Sequence, residues 1–313
     1  MSVAIALSKM NGVKWKKRME SRLPNHQVQT WPNIANHEEI KYLLAWKPPA
    51  DVFETLPNLE VIFSLGAGVD HLIFNPQLPT VPVVRIVDTD LTDRMTEWVT
   101  LQVLLHHRQH LLYAQQQKER MWKGYQQLPA REVHVGILGL GELGAASAVA
   151  LRQLGFQVSG WSRSRKELPS IQSYAGQSEL FGFLQQTNIL VNLLPHTQQT
   201  QGLIDYELLT YLSRSEDFGA PVYINAGRGG TQNEKDLARA LQDGTLKGAS
   251  IDVFSSEPLS PENPLWQLEN CIVTPHVASE SDPNALSYNI AEQITAYEQG
   301  QGLKHTIDWC SGY

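Results

Sequence analysis

Val133-His134-Val135-Gly136-Ile137-Leu138-Gly139-Leu140-Gly141-Glu142-Leu143-Gly144 holds both the strand and the turn from which the architecture follows. Its first half alternates and then becomes continuously apolar, as in a parallel strand buried on both faces. Its second half is G-x-G-x-x-G, and Ala145, Ala146 and Ala148 follow as the small face of a helix that can lie close to a sheet. Strand, glycine turn and helix in that order open a doubly wound α/β sheet and cradle a dinucleotide pyrophosphate. Gly139 permits the tight turn, Gly141 lets the backbone approach the phosphates, and Gly144 allows close helix-to-strand packing. The helix start beyond Gly141 turns free N–H groups and a positive dipole end toward the anion, with Leu140, Glu142 and Leu143 completing the turn. A glycine-rich turn without a ligand is the competing reading of the motif taken alone.

Working outward, strands near 157–161, 189–193, 222–225, 248–253 and 271–274 alternate with helices, extending the doubly wound sheet to about residue 280. Upstream, Val3, Ile5 and Leu7 precede a helix near 14–22, and strands follow at 27–31, 42–46, 61–65 and 83–87, a second and smaller α/β region. Residues 94–119 lack Pro and Gly and predict one long bridging helix. After Ser281-Asp282-Pro283 a capped helix runs to Gly300.

The chain has 313 residues, 42% hydrophobic and 18% charged, which suits two ordinary globular domains. A net charge of -7 and a pI near 5.8 argue against nucleic-acid partners. The basic run Lys14-Trp15-Lys16-Lys17-Arg18 is read as the solvated face of the first helix. No apolar run approaches the ~20 residues of a membrane span. With only Cys271 and Cys310 and no signal-peptide pattern, a reducing, cytoplasmic compartment is expected. His106 and His110 share a helix face but lack a third ligand, so no metal is expected and the pair is read as surface helix.

A NAD-selective site carries an acid at the end of its second strand, about 20 residues past the glycines. Here that position reads Ser162-Arg163-Ser164-Arg165-Lys166, hydroxyls and cations suited to a 2′-phosphate, which predicts NADP(H) over NAD(H). A plain solvated loop is the alternative.

Three polar residues fall in loops just after strands of the same sheet: Arg228 in Asn225-Ala226-Gly227-Arg228-Gly229, Glu257 before Pro258, and His276 after Pro275. Open α/β sheets bind ligands in such loops. An arginine fork binds a carboxylate and its neighbouring carbonyl, a protonated histidine delivers a proton, and a glutamate favours and orients the imidazolium. Together they suit hydride transfer to a carbonyl beside a carboxylate.

With Asn192-Leu193-Leu194-Pro195, Asp252-Val253-Phe254, Glu257-Pro258-Leu259 and Thr274-Pro275-His276, these motifs resemble the D-isomer-specific 2-hydroxyacid dehydrogenases over nearly the whole length, and within them the glyoxylate/hydroxypyruvate reductase branch. The resemblance implies a Rossmann-type cofactor domain at 99–281 and a smaller flavodoxin-like substrate domain at 1–98 and 282–313, with the active site in the cleft. It implies Arg228, Glu257 and His276 as the catalytic set. It also places Leu194, Pro195, Ala226, Gly227 and Asp252 along the cofactor, with Asp252 near the nicotinamide carboxamide. Gly66, Ala67 and Gly68 would bind the substrate carboxylate, with Arg228 and His276 beside it. Trp46 would line the pocket, a structural tryptophan being the alternative. The implied activity is NADPH-dependent reduction of glyoxylate to glycolate or hydroxypyruvate to D-glycerate by a homodimer. The alternatives are an NAD-dependent dehydrogenase of another D-2-hydroxyacid and a dinucleotide-sensing corepressor.

Overall fold

The computed structural model describes residues 2–8, 10–66 and 68–308. Ala67 and Cys310, both singled out above, lie outside the described residues. The chain divides into two compact units, Met1–Leu91 with Ser281–Tyr313, and Thr92–Glu280.

In the first unit, β1 (Ser2–Leu7), β2 (Gln27–Thr30), β3 (Ile40–Trp46), β4 (Val61–Ser64) and β5 (Val83–Val84) form a parallel sheet in the order β2-β1-β3-β4-β5. That is the flavodoxin-like doubly wound order. Val3, Ile5, Tyr42, Leu44, Val61 and Phe63 pack on one face against Trp15 and Met19 of α1 (Gly12–Arg22), while Ala4, Ala6, Leu43, Ala45 and Ile62 pack on the other against Leu72 of α2 (Asp70–Ile73). Of the basic run, Lys14 and Lys17 stay exposed on the outer face of α1, Lys16 and Arg18 are half-buried, and Trp15 turns into the core.

The second unit begins within α3 (Thr89–His107), since Met95, Val99 and Val103 belong to its core. After α4 (His110–Glu119) come β6 (His134–Leu138), α5 (Glu142–Gln153), β7 (Gln157–Ser162), β8 (Gln172–Ala175), α6 (Gly176–Leu184) and β9 (Ile189–Asn192). Then follow α7 (Tyr206–Thr210), β10 (Val222–Asn225), α8 (Glu234–Gln242), β11 (Gly248–Ile251) and β12 (Cys271–Val273), and the final helix α9 (Pro283–Glu298) returns to the first unit. The sheet order is β12-β11-β10-β9-β6-β7-β8, every pair parallel. This is the Rossmann order with one added strand, and it reverses direction between β6 and β9. Leu190 and Tyr223 point to one core and Ile189, Val191, Val222 and Ile224 to the other, so the central strands are buried on both faces.

Two local expectations are corrected. The long helix is interrupted: α3 ends at His107 and α4 starts at His110, with Gln109 left-handed at φ 55°. Tertiary anchoring overrides the helical pattern here. His106 is buried with Nε2 2.8 Å from Ser250 Oγ, and His107 meets the Phe156 ring edge-on at 5.0 Å. His106 is therefore a core residue and not surface helix, on a different helix from His110. Among the described residues no group of His, Cys, Asp and Glu is arranged to hold a metal, and no helix is long and apolar enough to cross a membrane.

Burial, with a smaller push from the Lys247 charge, lowers the His106 imidazole to about 4, and burial also lowers His107 and His134. These rings are neutral when folded, whereas the unfolded chain takes up protons below about 6.5. Stability should be full above that pH and fall as pH drops toward 4. Urea unfolding at pH 7, 6 and 5 should show the decline, and His106→Gln, which keeps a polar partner for Ser250 without titrating, should lessen it, His107 and His134 keeping their share.

Candidate active site

The carboxyl ends of the second sheet gather most of the residues singled out above. Gly139 leaves β6 with φ 97°, and a Cβ on it would lie 2.9 Å from the Leu193 carbonyl oxygen beyond β9. A Cβ on Gly144 would stand 1.9 Å from the Gly139 oxygen. Gly141, by contrast, faces open space and caps α5 without a side chain, so the N–H groups of the first turn are offered outward. An open approach, a helix N-terminus and a backbone turn without Cβ atoms fit a dinucleotide pyrophosphate. Glu142 is exposed beside this turn and Leu143 packs partly against the core. Leu140 is buried, and its side chain fills the space where a Cβ on Gly160 would sit. It is a core contact between turn and β7.

At the end of β7 no acid stands. The Ser162 hydroxyl donates to the Ser164 carbonyl at 2.7 Å, and Arg163, Ser164, Arg165 and Lys166 are exposed. Arg165 is engaged within its own surroundings, donating to the Ser173 carbonyl and to Glu179, each at 2.5 Å.

Leu194 donates its N–H to Asn192 Oδ1 at 3.1 Å, and the Pro195 carbonyl accepts from Thr200 Oγ1 at 2.6 Å, which shapes the turn after β9. After β10, the Ala226 and Gly227 N–H groups both donate to the Asn192 carbonyl, at 3.2 and 3.0 Å. A Cβ on Gly227 would meet Leu194 O at 2.7 Å, and one on Gly229 would meet the Phe254 carbonyl carbon at 1.9 Å. The loop carrying Arg228 is thus wedged, glycine against backbone, between its neighbours. Arg228 is half-buried with extended backbone, and its Nη1 donates to the Gly227 carbonyl at 2.8 Å.

Glu257 and His276 are brought together. His276 Nδ1 lies 3.0 and 2.9 Å from the two Glu257 carboxylate oxygens, and one of these also accepts the Phe254 N–H at 3.1 Å. An ionised carboxylate only accepts, so Nδ1 carries the proton in this bond. His276 holds a left-handed backbone at φ 57°, unusual for a residue with a Cβ. Asp252 holds it there. Its buried carboxylate accepts from Thr274 Oγ1 at 2.5 Å, Val277 N at 2.9 Å and Ala278 N at 3.0 Å, while its carbonyl accepts the His276 N–H at 2.8 Å.

In the first unit, Ser64 ties the glycine loop: its hydroxyl accepts the Gly66 N–H at 3.3 Å and directs its one proton to the Gly66 carbonyl at 3.1 Å, with the Gly68 carbonyl 3.5 Å away. The half-buried Trp46 ring lies where a Cβ on Gly66 would be, and the His71 ring packs against it, tilted by 57° with centroids 4.7 Å apart. Trp46 therefore braces this loop.

The model of the D-isomer specific 2-hydroxyacid dehydrogenase NAD binding domain matches residues 100–278. Glyoxylate/hydroxypyruvate reductase A of Salmonella newport is 38% identical over 310 residues, 97% of each chain. The chain belongs to the D-isomer-specific 2-hydroxyacid dehydrogenases. Among solved members, an NADPH-dependent glyoxylate/hydroxypyruvate reductase from Sinorhizobium meliloti, in complex with NADP and sulfate, is similar at TM-score 0.95 and 43% identity, covering 100% of this chain and 99% of that one. A D-isomer specific 2-hydroxyacid dehydrogenase from Xanthobacter autotrophicus, in complex with NADPH and MES, is similar at TM-score 0.94 and 36% identity over 100% and 99%.

Sequence reasoning about this dehydrogenase missed the buried side chains Thr231, Gln232 and Tyr223, which bond beneath the Arg228 loop, and His71 on Trp46. No motif marks them, because each gains its role from a partner far along the chain.

Two expected outcomes test this geometry. Gly144→Ala must displace backbone, so it should destabilise the fold by about 1–3 kcal/mol in thermal melts. Asp252→Asn sets an amide N–H against a loop N–H, and should cost a similar ~1–3 kcal/mol while speeding amide exchange at Val277 and Ala278.

Proposed function

We propose that this dehydrogenase reduces small 2-oxoacids with NADPH, taking glyoxylate to glycolate and hydroxypyruvate to D-glycerate. The observation that carries the reading is the His276 to Glu257 pair at 2.9 Å, held on the sheet whose first strand opens into the glycine turn. It is supported by relatives named glyoxylate/hydroxypyruvate reductase and by similar structures that hold NADP or NADPH.

The second unit is assigned to the cofactor and the first to the substrate. The turn from Gly139 to Gly144 holds the pyrophosphate, with Leu140 supporting it from the core. Leu194, Pro195, Ala226 and Gly227 form the wall along the dinucleotide. Ser162, Arg163, Ser164 and Arg165 receive the 2′-phosphate, for which Arg165 must share its guanidinium with Glu179. The dihydronicotinamide, when bound, supplies the hydride.

Arg228 binds the oxoacid through its planar fork, one arm on the carboxylate and one on the carbonyl oxygen. Glu257 occupies Nδ1 of His276, leaving Nε2 to give its proton to the carbonyl oxygen as that oxygen gains charge. Glu257 stabilises the imidazolium that precedes this transfer. Asp252 acts by holding the His276 loop, and a carboxamide contact would have to share its oxygens with Val277 and Ala278. Gly66, Ala67 and Gly68 supply the carboxylate loop. The Gly66 N–H would have to share itself with Ser64, and Trp46, packed against Gly66, lines the substrate pocket. We assign the enzyme to the cytoplasm as a homodimer, without metal, nucleic-acid or membrane partners. Light scattering on the purified protein tests the dimer.

Steady-state assays with glyoxylate test the function. NADPH should be preferred to NADH. His276→Ala should lower kcat by about 10²–10⁴-fold, and Arg228→Ala should both raise KM and lower kcat. Bound dinucleotide without turnover of any 2-oxoacid would overturn the reading.

A further inference from the structure

Beneath Arg228 lies a set of polar side chains that is almost wholly withdrawn from water. Asn192, Tyr223, Asn225 and Thr231 are 0% exposed and Gln232 is 5% exposed. Burying such groups is costly unless each is bonded, so their partners reveal what they hold.

Thr231 is the junction. Its hydroxyl donates to the Arg228 carbonyl at 2.6 Å, and its own N–H reaches the same oxygen at 3.2 Å. The hydroxyl has one proton, so toward Asn192 it must accept, and Asn192 Nδ2 donates to it at 2.8 Å. The second Nδ2 proton goes to Tyr223 Oη at 3.0 Å. The other end of the same amide, Asn192 Oδ1, accepts the Leu194 N–H at 3.1 Å. A continuous path therefore runs from the turn after β9, through one amide and one hydroxyl, to the main chain of Arg228. A parallel path, from Asn225 Nδ2 to Gln232 Oε1 at 2.9 Å and from Gln232 Nε2 to Val253 O at 3.1 Å, ties the base of the loop to the segment leading to Glu257.

We infer that Thr231 and Asn192 are positioning residues for substrate binding, fixing the Arg228 main chain against the Leu194-Pro195 turn so that the guanidinium meets the oxoacid in one geometry. This inference rests on the proposed role of Arg228 as the oxoacid-binding group. Neither Thr231 nor Asn192 touches substrate. They act through Arg228, whose bidentate contact is sensitive to small displacements.

The test uses Thr231→Val, which keeps the shape and removes the hydroxyl, with NADPH dissociation constants from fluorescence titration and glyoxylate kinetics at saturating NADPH. The KM for glyoxylate should rise about tenfold and kcat should fall with it, as for a weakened Arg228 contact, while NADPH affinity stays within about twofold. Thr231→Ser should restore KM, and Thr231→Val should add nothing further in an Arg228→Lys background, since both act through one group. Should valine prevent folding, Thr231→Ala gives the same readout. An unchanged KM, or a parallel loss of NADPH affinity that serine does not rescue, overturns the positioning role. A normal KM in Arg228→Lys alone overturns instead the reading of Arg228, and this inference with it.

Discussion

Backbone packed directly on backbone at the carboxyl edge of the second sheet is the constraint on which the rest depends. Gly139 lies against Leu193, Gly227 against Leu194, and Gly229 against Phe254, each at a distance that a Cβ would close. A peptide plane is far stiffer than a side chain, so loops in contact through glycine transmit position without the slack of rotamers. The glycine turn, the turn after β9, the arginine loop and the segment leading to Glu257 form one row. The histidine loop joins that row through Asp252.

Buried polar groups set the row's register. Asp252, Asn192 and Asn225 each end or follow a strand and each accept main-chain N–H groups of the loop they serve. Net gains from such bonds are modest, whereas leaving one unmade costs the whole desolvation of the group. The asymmetry explains why polar side chains persist where apolar ones would pack. An apolar side chain tolerates several loop positions nearly equally, while an amide with all its partners engaged tolerates one. His276 shows the force of this, since its left-handed backbone sits in a loop that makes four bonds to Asp252, from Thr274, His276, Val277 and Ala278.

Features written within a short stretch could be read from sequence. The strand His134–Leu138 and the glycines that follow announce themselves by pattern, and Arg228, Glu257 and His276 stand in distinctive neighbourhoods. What escaped depends on distant partners. The helix break at Gln109 lacks Pro or Gly and follows from anchoring of His106 by Ser250, 144 residues away. β8, Gln172–Ala175, is an edge strand with little burial and no alternation of apolar residues. Thr231 lies in a short turn after Arg228, and only the fold brings Asn192 beneath it, 39 residues upstream. Arg165 read from sequence as a phosphate ligand or a solvated loop residue, and the bonds to Glu179 and the Ser173 carbonyl that engage it could not be read there.

The sheet thus solves a problem of relative position. Hydride and proton transfer need the reacting atoms held within a few tenths of an ångström, and a misplacement of about 1 Å can cost on the order of a hundredfold in rate. Side chains on independent loops cannot hold that tolerance, because each loop contributes its own motion. Here the groups assigned to the dinucleotide, the oxoacid and the proton stand on adjacent loops that share main-chain contacts, and a displacement of one must move the next. The bonds that run from the Leu194 N–H through Asn192 and Thr231 to the Arg228 carbonyl are the side-chain part of that coupling, and they lie where no water competes for them.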